Sequence, residues 1–253
     1  MSLSLTIKDH VARLTIDRAA KRNAMNHAMW SALPALVARA SVEARVLVVQ
    51  GAPGGVYCAG ADISEVFELS RDSAWRQANQ AAIRSAMAAL AEAPIPTLAL
   101  IEGDCIGGGC GLALACDLRI AGREARFGIT PARLGLVYSL EDTRRLILAV
   151  GSAQAKRILF SGALIDAAEA ERIGLATILA NDAPGEIELI IAALLATSGH
   201  SQREAKAMIA RVEKGQIVDD IVTLALFEQA FSGPNFAEGS AAFLEQRKPN
   251  FDD

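Results

Sequence analysis

Two runs of small residues are where this sequence could do chemistry with its backbone. The first, Val56-Tyr57-Cys58-Ala59-Gly60-Ala61-Asp62-Ile63, follows a strand and a Gly-Ala-Pro-Gly-Gly turn. The second, Ile106-Gly107-Gly108-Gly109-Cys110-Gly111-Leu112-Ala113, follows the strand-like Thr97–Ile101 and opens a helix. N–H groups in a first helical turn lack intrahelical acceptors, and the helix dipole makes that end partly positive. Glycines let a ligand come against the main chain. Two such N–H groups converging on one point would make an oxyanion hole, which stabilises charge developing on a carbonyl oxygen. Taken alone, each run reads first as a helix cap with tight packing.

Other chemistries lack their residues. A dinucleotide fingerprint needs a third glycine, but Leu112 and Leu114 stand where it would fall. There is no G-K-[ST] phosphate loop and no G-x-S-x-G nucleophile turn. Cys58, Cys105, Cys110 and Cys116 form no C-x-x-C pair, and the three histidines are distant in sequence. The cysteines are therefore read as buried apolar thiols, with no metal site.

The elements that must position these runs are those of a mixed α/β chain. Its 253 residues are 52% hydrophobic and 21% charged, which fills a sizeable core and excludes a disordered chain. A net charge of −4 argues against a nucleic-acid partner. No apolar run reaches the ~18 residues of a membrane span. The start, MSLSLTIKDH, lacks signal-peptide regions, so a cytoplasmic location is expected. Alternation predicts strands over 3–7 and 11–16, and buried strands are expected at 45–50, 97–101, 118–121 and 176–179. Helices are expected from His27 to about Ala40, with Pro34 kinking or shortening the first, and from Asp72 to Ala91. Helical segments dominate after Val150. A boundary near residue 195 would divide a mixed core, 1–195, from a helical region, 196–253.

Taken in order, the motifs resemble the crotonase superfamily (enoyl-CoA hydratase/isomerase). They are Arg22-Asn23-Ala24-Met25-Asn26, Cys58 through Ile63, Gly107-Gly108-Gly109, Ala115 through Ala121, Ala125-Arg126-Phe127-Gly128, Leu134-Gly135-Leu136, Arg145-Leu146 before Val150-Gly151, and Phe243 through Lys248. The resemblance implies a spiral of ββα units with a C-terminal helical region that trimerises, as a trimer or dimer of trimers. It implies an acyl-CoA thioester as substrate, with no metal or redox cofactor. The oxyanion donors would be the N–H groups of Ala61 and Gly108. Lys21, Arg22 and Ala24 would lie against the CoA nucleotide, Ala59, Asp62 and Ile63 along the pantetheine, and Lys248 at a CoA phosphate.

The chain departs from the family's hydratases at their two glutamates. Gly111 stands at the first position and Pro131, after Thr130, at the second. Neither side chain transfers a proton, so isomerisation, decarboxylation, thioester hydrolysis or slow hydration is expected. A non-catalytic acyl-CoA-binding protein is the alternative. The loop that lines the acyl pocket in relatives offers Tyr138, Ser139, Glu141 and Asp142. Capping explains both acids, yet Glu141 is the carboxylate expected to substitute in part. Glu65 and Glu68 are read as a solvated helix face, and His27 as a helix cap.

Overall fold

The computed structural model describes residues 2–251. Strands β1 (Leu3–Lys8) and β2 (Val11–Ile16) form an antiparallel hairpin paired from Leu3–Ile16 to Lys8–Val11. Its loop residues Asp9 and His10 have φ of 49° and 65°, a left-handed pair whose twist suits a two-residue hairpin. Ala12, Leu14 and Ile16 alternate inward and are fully buried.

Parallel pairing follows. Strands β3 (Val46–Gly51) and β4 (Thr97–Ile101) extend the hairpin. A short β5 (Asp104–Ile106) turns away from this sheet, and β6 (Leu118–Gly122) returns to it. Next come β7 (Arg126–Gly128), β8 (Ile165–Asp166) and β9 (Ile178–Ala180). The main sheet has the order β1-β2-β3-β4-β6-β9, and a smaller one the order β5-β7-β8. The central strands bury both faces, as parallel strands do. Leu47, Val49, Ala99 and Ile101 face the larger core. Val46, Val48, Leu98 and Leu100 face a second cluster with Ala183, Ile187 and Ile191.

The larger core is covered by α1 (His27–Glu43), the short α2 (Ile63–Leu69) follows, and α3 (Ser73–Ala91) lies along α1. Helix α1 runs through Pro34, which therefore does not confine it to its second half. A missing N–H in a helix interior costs about 3 kcal/mol. Burial of Met29, Trp30, Leu33 and Val37 on one face offsets it, at about 1.5–3 kcal/mol for each large apolar side chain. Helix α4 (Gly108–Ala115) is buried from its second residue onward. Helix α5 (Leu140–Ser161) starts at the loop of interest and is broken at Gly151, where φ is 75° and ψ 159°.

The helices α6 (Ala167–Arg172), α7 (Ala183–Leu195), α8 (Gly199–Glu213), α9 (Ile221–Ser232) and α10 (Pro234–Leu244) complete the chain. Helix α8 docks on the core: Lys206 Nζ reaches Asp117 at 2.8 Å and the Ile95 carbonyl at 3.1 Å. Beyond it, α9 and α10 bury few residues and leave Phe227, Phe231, Phe236, Phe243 and Leu244 exposed.

Candidate active site

The two glycine runs meet. The first is clamped between the 22–26 loop and β5. Met25 N–H donates to the Gly60 carbonyl at 2.7 Å and Asp62 N–H to the Met25 carbonyl at 2.9 Å. On the other side Cys58 N–H bonds the Asp104 carbonyl at 3.0 Å and Ile106 N–H the Cys58 carbonyl at 2.9 Å. Gly60, at φ 97°, lies so close that a Cβ there would come 3.2 Å from Gly108 N and 2.9 Å from the Ile106 carbonyl oxygen. A Cβ at Gly109 would overlap the Cys58 carbonyl oxygen.

This packing brings Ala61 N to 3.6 Å from where a Gly108 Cβ would sit. Both residues are half-buried. Among the described residues, these hydrogen bonds engage their neighbours and leave the N–H groups of Ala61 and Gly108 without an acceptor. Gly108 is the first residue of α4, so its N–H has no acceptor within its own helix. Two backbone donors beside a helix N-terminus can stabilise an anionic oxygen. The Trp30 ring edge bounds the point, 3.3 Å from that same Gly108 position.

The supporting shell was not legible as chemistry in the sequence. Asp62 accepts from Ser64 and Glu65 N–H to cap α2, and pairs with Arg18 at 2.7 Å. Burial works to raise the Asp62 pKa, but Arg18, the Glu65 N–H and Lys21 outweigh it and hold the carboxyl below its ordinary value. Its side chain is thus engaged in structure. Asn23, buried at φ 58°, accepts from Arg18 N–H at 2.8 Å and donates to the Val56 carbonyl at 2.5 Å. Glu68 is exposed as expected, whereas Glu65 is only half-exposed and its carboxylate takes the His27 N–H at 2.8 Å. Nor does His27 cap α1. Asn26 does, accepting from Met29 N–H at 3.0 Å, while the His27 ring faces Asn79.

Around the first missing glutamate the space is filled. A Cβ on Gly111 would meet Met87 Cε at 2.8 Å and Tyr138 Oη at 3.4 Å. Tyr138 Oη is buried with no hydrogen-bond partner among the described residues. Burial, and then the nearby Asp142 charge, push its pKa well above the ordinary value. Ser139 caps α5, accepting from Asp142 N–H at 3.1 Å and donating to Asp142 Oδ2 at 2.7 Å. Asp142 also holds Arg145 at 3.0 Å. Glu141 lines a groove of 550 Å³ at the C-terminal end of α4, with Asp117, Arg144 and Lys206. Its cation is Arg145 at 3.9 Å. The structure brings Tyr138, and not Glu141, to the face of α4 that carries Gly108 and Gly111. Pro131 opens a 3-10 turn, Pro131–Leu134.

Lys21 and Arg22 flank the first run. Lys21 Nζ reaches Ser64 at 3.3 Å, and Arg22 shares the buried Asp104 carboxylate with Arg126. Ala24 is buried, Ala59 half-buried and Ile63 half-exposed, all beside the same turn. Lys248 lies beyond α10, exposed, and among the described residues nothing joins it to these within one chain. All four cysteines are free and buried; burial pushes Cys58 and Cys116 up to about 12. Among the described residues no group of three or more His, Cys, Asp or Glu side chains could hold a metal ion.

Comparison with known proteins identifies the family and the fold. The profile of the enoyl-CoA hydratase/isomerase family matches residues 6–253. A Mycobacterium leprae protein named "Probable enoyl-CoA hydratase" is 33% identical over 246 residues, 95% of this chain and 94% of its own. Mouse mitochondrial methylglutaconyl-CoA hydratase is 31% identical over 94% of this chain and 78% of its own. An enoyl-CoA hydratase/isomerase family structure from Hyphomonas neptunium superposes with a TM-score of 0.96 at 36% identity, covering 99% and 97% of the two chains. The enoyl-CoA hydratase structure from Bacillus anthracis gives 0.89 at 27% identity, covering 99% of both. The converging glycine turns therefore sit in a crotonase fold, and the chain belongs to the enoyl-CoA hydratase/isomerase family of acyl-CoA enzymes.

Proposed function

We propose that this enzyme binds an acyl-CoA thioester with its carbonyl oxygen between the N–H groups of Ala61 and Gly108 and stabilises the enolate formed there. The observation that carries the reading is the approach of these two donors, free of other acceptors, at the N-terminus of α4. Each such donor contributes about 3–4 kcal/mol to a developing oxyanion. Lys21, Arg22 and Ala24 face the CoA nucleotide in this reading, with Ala59, Asp62 and Ile63 along the pantetheine and Lys248 at a phosphate. Arg22 is anchored by Asp104 but keeps an exposed guanidinium. No metal or redox cofactor is required.

Gly111 and Pro131 leave both hydratase positions without an acid or base. The reaction is one that an oxyanion hole supports: decarboxylation through an enolate, isomerisation or slow hydration through an enolate with water or another group moving the proton, or thioester hydrolysis through a tetrahedral oxyanion. Mass-detected turnover of an acyl-CoA panel tests this; no turnover above background, with binding retained, would instead fit a non-catalytic acyl-CoA-binding protein. In calorimetry, CoA thioesters should bind far more tightly than the free acids, and equal affinity would overturn the reading.

The assembly belongs to the same proposal, with 1–195 as the core and 196–253 as the region that associates into a trimer or dimer of trimers. One chain exposes 13304 Å², against roughly 11,000 Å² for a compact monomer of its mass. The exposed phenylalanines of α9 and α10 contribute to that excess. Among the described residues no helix is long and apolar enough to cross a membrane, and we place the enzyme in the cytoplasm.

A further inference from the structure

Gly108 and Gly111 lie three residues apart on α4, so they share a face, separated by about 4.5 Å of helix rise. A thioester oxygen held at Gly108 N–H would lead the acyl chain along that face to Gly111. Two side chains stand there, the Met87 methyl and the Tyr138 hydroxyl. The hydroxyl is buried and unpaired among the described residues, although the Ser139 cap and the Asp142–Arg145 pair hold its segment in place. Leaving a buried hydroxyl unpaired is costly, because it loses its hydrogen bonds to water and gains none. Met87 can uncover it, because methionine turns about three bonds and fills irregular space.

We propose that Tyr138 is a specificity-determining residue that donates a hydrogen bond to an oxygen on the third carbon of the acyl group. The preferred ligands are then 3-hydroxy- or 3-oxoacyl-CoA thioesters rather than unsubstituted alkyl thioesters. An oxygen on the third carbon is four bonds from the thioester oxygen, a reach comparable with the helix rise from Gly108 to Gly111. A neutral oxygen suits the surroundings better than a carboxylate, since Asp142 is near and Arg145 is already paired to it. A site arranged to hydrogen-bond a ligand oxygen discriminates strongly against the analogue that lacks it.

The inference rests on the oxyanion reading, and the experiment separates the two. Calorimetry compares butyryl-CoA, 3-hydroxybutyryl-CoA and acetoacetyl-CoA on the unmodified enzyme and on Tyr138→Phe. The expected result is at least tenfold tighter binding of an oxygenated thioester, lost in Tyr138→Phe while butyryl-CoA affinity stays the same. Removing an unpaired hydroxyl should leave the thermal midpoint unchanged or raised, so a folding defect is detectable. Equal affinity for all three thioesters, or a preference that survives Tyr138→Phe, overturns the inference and leaves the oxyanion reading standing. Failure of every thioester to bind overturns both.

Discussion

Arg18 and Asp62 meet at 2.7 Å between the end of β2 and the start of α2, so one ion pair fixes the turn that carries Ala61. The same carboxylate caps α2. Asp62→Ala should cost roughly 2–4 kcal/mol, the loss of a cap plus an uncompensated, mostly buried cation. Because the folded pKa is depressed, this contribution is fully present above the unfolded value of about 3.9 and fades as pH falls through the folded pKa. Urea titrations of the native protein and Asp62→Asn should therefore differ by a constant amount above about pH 5 and begin to converge only as pH falls below about 4, toward the lower folded pKa. A gap independent of pH would contradict the assignment.

Two neighbouring glycines should respond in opposite ways. A Cβ at Gly109 overlaps the backbone carbonyl of Cys58, which can move only by separating the two turns. Gly109→Ala should cost about 3 kcal/mol or more. At Gly111 the obstacle is the end of Met87. Gly111→Ala should stay within about 1 kcal/mol of the parent, its helix-propensity gain offsetting a small shift. Chemical denaturation of both variants measures the difference.

Restoring the family's glutamates should not by itself create a fast hydratase. General acid–base groups contribute about 10²–10⁴-fold, but Met87 and Tyr138 already fill the space beside Gly111. Crotonyl-CoA hydration by Gly111→Glu with Pro131→Glu should remain low and rise when Met87→Ala is added. Absorbance at the enoyl thioester band follows the reaction. A full gain from the two glutamates alone would show that the space opens without trimming Met87.

Phe243 and Leu244 end α10 with 83% and 80% of their surface exposed. In the proposed assembly these neighbouring apolar side chains form a contact with another copy. Phe243→Glu with Leu244→Glu should shift the particle mass from a trimer or larger to a monomer in light scattering at micromolar concentration. An unchanged mass would place the contact elsewhere.

Local patterns were enough to read the hairpin, the central strands and α3. Alternation at Leu3 to Ile16 and the apolar runs at 46–51 and 97–101 report burial directly, and Asp72 marks a helix start. The glycine run 107–109 was visible as a run, but Ala61 and Gly108 as candidate donors came from the family resemblance rather than from a local pattern. Tertiary structure decided the rest. Strands β5, β7 and β8 have three residues or fewer, too short to show a period, and exist because distant segments pair. Pro34 stays inside α1 because the buried face holds the helix together. Asp62, Glu65 and Asn23 acquired their roles from partners remote in the chain. Glu141 and Tyr138 are near neighbours in sequence, yet the first turn of α5 sends one to an exposed groove and leaves the other against Gly111. Residue type alone favoured the carboxylate; the direction of each side chain depends on how α5 packs against α4.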